Sequence, residues 1–332
     1  MYNKPVIRKI FVKSVIILLA VVFLFSAFQS VRLIIQDARR GQLYLSQSEP
    51  ARYHFMVILP TIEDEFFQKM WEGIQEAAAE MNVGVELQVP RNILELRSGT
   101  LELMEIARLS QVDGVALYVT NEEELKPAIN HAVVSGIPVV TLESDAPMSR
   151  RSGFVGSNSF KLGQEIGRLM QAAQPAGAKA ALLKNEYFSE RASQWSIIQY
   201  GILTSLSSGN SHEIVTERKT QIGVLSSEEK SRQILYLNPE VNVIFCTSLV
   251  DTISAANVVA EFGKEDDIKL IGYGYNQEIA RGLEAGYIYG TLVRDPKAIG
   301  ERGLQALLGL NSNQYVPSFI YIPSRVLTGD GQ

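Results

Sequence analysis

From His54 onward the chain alternates short apolar runs with segments whose apolar residues recur at three- and four-residue spacing. His54 to Leu59 is nearly continuous in apolar side chains, the pattern of a strand buried on both faces. Phe66, Met70, Trp71, Ile74, Ala77, Ala78 and Met81 then mark one face of a helix. The alternation predicts strand 85–89, helix 100–109, strand 114–119, helix 122–134 and strand 138–142. A second series predicts helix 160–173, strand 178–183, helix 193–206, strand 213–216, helix 226–237, strand 243–245, helix 252–262 and strand 269–272. The closing part reads as helix 278–284, strand 289–292, helix 296–308 and strand 319–322. Strands alternating with helices imply βαβ units and parallel sheets covered on both faces. Two such series predict an α/β protein of two Rossmann-like lobes, with a ligand cleft where the C-terminal strand ends face each other.

The first fifty residues follow a different rule. Lys4, Arg8, Lys9 and Lys13 precede an uncharged stretch from Ser14 to Val31. As a helix that stretch would span about 27 Å, near the ~30 Å hydrocarbon core of a bilayer. A cleaved signal is the rival, but Phe28 falls where a small side chain is wanted for cleavage. The reading is a basic cytoplasmic N-terminus at 1–13, a transmembrane anchor or uncleaved signal at 14–32, and a polar tether at 33–52. The basic flank then puts the body outside the cytoplasm.

Composition narrows the function. A net charge of −5 without a basic cluster in the body argues against a nucleic-acid surface. Cys246, the single cysteine, lies in an apolar run and cannot form an internal disulfide, so it is expected to be a small buried hydrophobe. His54, His131 and His212 show no metal-ligand spacing, and no nucleophile-elbow, Walker A or dinucleotide-binding motif is present. The expectation is a protein without cofactor, metal or catalytic activity.

Several stretches, in order, resemble the type I periplasmic sugar-binding family that includes the ribose- and xylose-binding proteins. Pro60 to Phe67 leading into Gly73-Ile74 resembles its strand-turn-Phe-Phe-helix opening. Val112-Asp113-Gly114-Val115 and Gly136 to Glu143 resemble its third and fourth strand entries. Gly156-Ser157-Asn158-Ser159 with Gly163, then Ile271-Gly272-Tyr273 and Gly290 to Pro296 with Gly300, complete the order. The resemblance implies a three-segment hinge near Asn158, Arg294 and Ile322, with lobe 1 at 53–158 and 294–321 and lobe 2 at 159–293 and 322–330. The same fold serves bacterial sugar repressors, but those carry a DNA-binding motif where this chain has its apolar segment.

The resemblance also implies a site. Sugars stack their C–H faces on aromatic rings, and each buried hydroxyl needs a hydrogen-bond partner. Phe66 and Phe67 match the family's opening aromatic pair, and Glu143 stands where it commonly has Asp. Arg191 lies in the loop where the family supplies an arginine, and Arg294 stands at the hinge where sugar binders often have Gln. Ser248 replaces a common Asn with Asp251 close by, Gly274 replaces a common Asp, and Ser144 replaces a common Arg. Asp145 is a candidate substitute for that arginine, and Asn276 or Tyr275 for the lost Asp. The implied ligand is a small sugar or sugar-like molecule. The implied partner is an ABC permease, or, for an uncleaved anchor, a sensor histidine kinase in the same membrane.

Overall fold

The computed structural model describes residues 51–91, 96–185, 192–207, 212–221 and 223–329. The expected N-terminal span with its flanks, and Arg191, lie outside the described residues. Among the described residues no helix is long and apolar enough to cross a membrane.

The chain runs β1 (His54–Ile58), α1 (Glu65–Met81), β2 (Gly84–Gln88), α2 (Leu96–Leu109), β3 (Gly114–Leu117), α3 (Glu122–Val134), β4 (Val139–Leu142) and β5 (Gly153–Gly156). It continues through α4 (Ser159–Ala173), β6 (Lys179–Asn185), α5 (Ala192–Leu206), β7 (Glu213–Thr220), α6 (Val224–Leu237), β8 (Val243–Cys246) and α7 (Leu249–Glu261). Then come β9 (Lys269–Tyr273), α8 (Gln277–Ala285), β10 (Ile288–Val293), α9 (Pro296–Asn311), β11 (Phe319–Tyr321) and β12 (Arg325–Thr328). One sheet has the order β11-β5-β4-β3-β1-β2 and is parallel throughout. The other has the order β12-β10-β9-β8-β6-β7 and is parallel except for β12 against β10. The chain passes between the sheets at residues 157–158, 294–295 and 322–324.

Period-two alternation divides each central strand between two cores. Phe55 and Val57 face Met70 and Ile74 of α1 and Ile299 and Leu304 of α9. Met56 and Ile58 face the other way, onto Leu103 and Met104 of α2 and Leu125 and Ile129 of α3. In the second lobe Ala180 and Leu182 meet α4 and α5, while Ala181 and Leu183 meet α6 and α7. Cys246 belongs to this last core, and burial pushes its thiol well above the ordinary range.

Each lobe carries one very close helix pair, made possible by glycine. A β-carbon added at Gly73 of α1 would collide with the Lys297 carbonyl oxygen, and one at Gly300 of α9 with that of Met70. In lobe 2, Gly163 of α4 stands against the Ile198 carbonyl oxygen, and Gly201 of α5 against that of Phe160. The missing side chains let the helix backbones themselves come into contact.

Two strands, β5 and β12, are absent from the pattern reading. In β5 only Phe154 and Val155 lie between two glycines, too few positions to show a period. β12 sits at a sheet edge with an exposed arginine at its start. β7 runs on to Thr220, past the expected end at Thr216, through Glu217, Arg218 and Lys219. An edge strand can carry such polar residues because one side remains open to water.

Candidate ligand-binding cleft

A cavity of about 430 Å³ opens between the C-terminal ends of the two sheets, within the size range of small-molecule sites. Lobe 1 contributes the start of α1 and Tyr118, just beyond β3. Lobe 2 contributes Asn185 at the end of β6, residues 247–250 after β8, and residues 273–275 at the end of β9 and just beyond it. The crossing segment adds Val293 to Lys297.

The aromatic wall is placed by a helix cap. Asp64 accepts the Phe66 N–H at 2.8 Å, starting α1 and setting both phenylalanines in its first turn. Phe67 is buried and meets Tyr118 edge to face at 4.9 Å, while Phe66 meets Phe67 at 5.3 Å. The Arg294 guanidinium carbon lies 3.9 Å from the Phe66 ring centre and 4.3 Å from that of Tyr273. Rings at that distance attract the cation through their quadrupoles.

Glu143 does not line the cavity. It follows β4 with φ of 56°, in the left-handed region, and its side chain turns back beneath β5. Its Oε1 accepts from Arg294 Nη1 at 3.2 Å, and its Oε2 accepts from the Ser157 backbone N–H at 2.8 Å and Oγ at 3.1 Å. Its carbonyl oxygen accepts from Gln194 Nε2 of lobe 2 at 2.9 Å. One buried carboxylate therefore holds two of the three crossing segments, at Ser157 and at Arg294. It supports a cavity residue from behind.

The remaining candidates divide in the same way. Ser248 lines the cavity as the N-cap of α7, and Tyr275 lines it as a half-exposed ring. Asn276 lies off the cavity wall because its side chain caps α8, accepting the Ile279 N–H at 2.9 Å. Asp145 is also off the wall, tied to Thr141 at 2.8 Å and to Arg151 Nη2 at 2.7 Å. Ser144 is buried and donates to the Val119 carbonyl at 2.6 Å, so it leaves no donor where the resembled family has arginine. Gly274 has φ of 98°, and Leu249 lies 3.0 Å from where its β-carbon would stand. That backbone disfavours the Asp of the resembled family. Tyr118, Asn185, Thr247 and Tyr273 are wall residues that the sequence reading does not single out as ligand contacts. Their common signal is position at a parallel strand's C-terminal end.

Beneath the lobe 2 wall lies Asp251, fully buried. Burial raises its carboxyl above the ordinary aspartate value of 3.8, opposed by hydrogen bonds from Ser227, Ser248, Thr220 and Asn185. A carboxyl raised on folding adds stability that is complete below the unfolded pKa and is lost as pH rises through the folded one. Urea unfolding across that acid window should therefore show a downward term with rising pH that Asp251→Asn removes. An unchanged pH profile in the variant would assign the slope to other groups.

Residues 55–313 match the sequence pattern described as the periplasmic binding protein domain. The chain belongs to the periplasmic binding protein family. These are extracytoplasmic binding proteins, not enzymes. The chain is 23% identical over 305 residues to the D-allose-binding periplasmic protein of Escherichia coli (strain K12), covering 86% of this chain and 95% of the relative. Its structure resembles GanP, a glucose-galactose binding protein from Geobacillus stearothermophilus, with a TM-score of 0.76 at 27% identity. That similarity covers 84% of this chain and 98% of GanP. The fold recurs in the XylFII–LytSN complex, with a TM-score of 0.75 at 24% identity over 85% of this chain and all (100%) of that one. The expected type I sugar-binding resemblance is thereby borne out.

Proposed function

We propose that this periplasmic binding protein takes up a small carbohydrate in the interlobe cavity and closes on it, as the receptor of an ABC-type sugar uptake system. The observation that carries the reading is the wall itself. Phe66, Phe67, Tyr118 and Tyr273 supply aromatic surface, Arg294 supplies a donor-only group, and Asn185, Thr247 and Ser248 add polar side chains. That mixture suits a molecule with apolar C–H faces and a rim of hydroxyls. Closure would be absorbed at residues 157–158, 294–295 and 322–324, and ligand would shift the population toward the closed form. Anchoring through residues 14–32 and the lobe limits drawn from the sequence belong to the same proposal.

The test is a thermal-shift screen of the full chain in detergent against pentoses, hexoses, sugar acids and polyols. A ligand at 100 times its dissociation constant should add about 2.7 kcal/mol. A selective rise in Tm with one sugar is expected. No shift with any of them, from well-folded protein, would overturn the sugar reading.

A second reading keeps the binding event and changes the partner to a sensor histidine kinase in the same membrane. The uncharged Ser14–Val31 segment, which has no lipid-accepting cysteine near it, favours a fixed membrane partner over a diffusing carrier. Sugar-dependent cross-linking in native membranes separates the two: capture of a permease supports uptake, and capture of a kinase supports sensing.

A further inference from the structure

The lobe 2 wall has a defined hydrogen-bond polarity, and it comes from a residue behind the cavity. Ser248 Oγ accepts the Asp251 N–H at 3.1 Å and donates its only proton to Asp251 Oδ2 at 2.8 Å. The opposite oxygen, Oδ1, accepts from Ser227 Oγ of α6 at 2.6 Å, and the side chains of Thr220 and Asn185 also bond to this carboxylate. An ionised carboxylate only accepts, so the hydroxyl protons of Ser227 and Ser248 both point at it. A serine hydroxyl has one proton and two lone pairs. At Ser248 the proton and one lone pair are used within the α7 cap, which leaves one acceptor site.

We infer that Asp251 is a positioning residue that makes Ser248 an acceptor toward the cavity, so that the ligand must carry a free hydroxyl where it meets Ser248. Arg294 imposes the complementary demand, because a guanidinium donates and never accepts. The site thus asks for a hydroxyl proton at lobe 2 and an oxygen lone pair at the crossing segment. An ether, a methylated hydroxyl or a fluorine at the Ser248 position keeps the lone pairs but lacks the proton. It would set two acceptors against each other in a partly desolvated site, the kind of unpaired contact that gives steep discrimination. The inference rests on the sugar-binding reading for the nature of the ligand, whereas the cap geometry behind it is independent of any ligand.

The experiment uses the full chain in detergent and has two arms. In the first, the infrared difference between wild type and Asp251→Asn at pH 7 reports the charge state of the Asp251 carboxyl. An ionised band is expected, and a protonated band overturns the inference even where sugars bind. In the second, D-glucose, D-galactose, D-allose and D-ribose are titrated calorimetrically, together with the monofluorinated analogues of each one that binds. At one ring position fluorine should weaken binding at least tenfold in wild type, and Ser248→Ala and Asp251→Asn should each shrink that gap below threefold. If no ring position shows a gap that closes in Ser248→Ala, the inference is overturned. Ser248→Ala keeps this arm decisive if Asp251→Asn folds poorly. If none of the four sugars binds, the same titration uses the sugar selected by the thermal-shift screen; if that screen selects none, the sugar reading fails, and the infrared arm alone decides the charge state on which the Ser248 assignment stands.

Discussion

Arg294→Ala is expected to abolish any sugar-induced rise in Tm and to lower the unfolding free energy by about 3–5 kcal/mol. Two separate losses combine. On the cavity side the substitution removes the guanidinium set against both Phe66 and Tyr273, and with it a donor lining the cavity. On the buried side it strips Glu143 of its cationic partner. The Glu143 side chain is only 2% exposed, and the Ser157 donors that remain carry no formal charge. Removing one member of a buried pair leaves the other charge without compensation, which costs far more than the pair contributes. Adding Glu143→Gln to Arg294→Ala should therefore recover part of the stability while leaving sugar binding absent. Urea unfolding is readily followed because Trp71 lies in α1 of one lobe and Trp195 in α5 of the other. Equal losses in the single and double variants would show that Glu143 does not depend on Arg294.

Gly163→Ala is expected to destabilise the second lobe by about 3 kcal/mol, at the upper end of what overpacking costs. Its β-carbon would enter the space held by the Ile198 carbonyl oxygen, so the backbones of α4 and α5 must separate to admit it. Leu162, Ile166, Ile198 and Ile202 pack in the core between those helices and the sheet, and would loosen together. Trp195 fluorescence should report an earlier transition than Trp71. Gly153→Ala is the control, because the nearest atom to its added β-carbon is the Pro317 carbonyl oxygen at 3.7 Å, ordinary contact. A Gly163→Ala protein as stable as wild type would mean that the helix pair can slide apart freely.

The alternation of strands and helices is legible in this chain because parallel strands covered on both faces must be apolar throughout. Runs such as Phe55–Leu59 and Val243–Cys246 therefore stand out beside helices with a single apolar face. That signal fades where burial is one-sided or the element is very short, as in β5, β12 and the outer half of β7. The glycines at 73, 163 and 300 are visible as motif letters, but their purpose lies in which helix each one faces.

For the site, the family resemblance points to Phe66, Phe67, Ser248 and Arg294, all of which line the cavity. Glu143 and Asn276 sit in equally plausible loops, yet one side chain turns under the hinge and the other onto its own helix cap. Loop side chains have no period, so their direction follows from local dihedrals and from the partners that tertiary packing brings near. The sequence by itself determined the α/β alternation and the two lobes, because these follow from burial and local spacing, whereas the aromatic opening of the cleft was legible only through the family resemblance. Only the tertiary structure decided which carboxylates face the cavity and which stand behind it. Arg294 and Glu143 are 151 positions apart, and Ser227 and Asp251 belong to different helices. Pairing over such distances is set by how the sheets and helices come together, which no local pattern encodes.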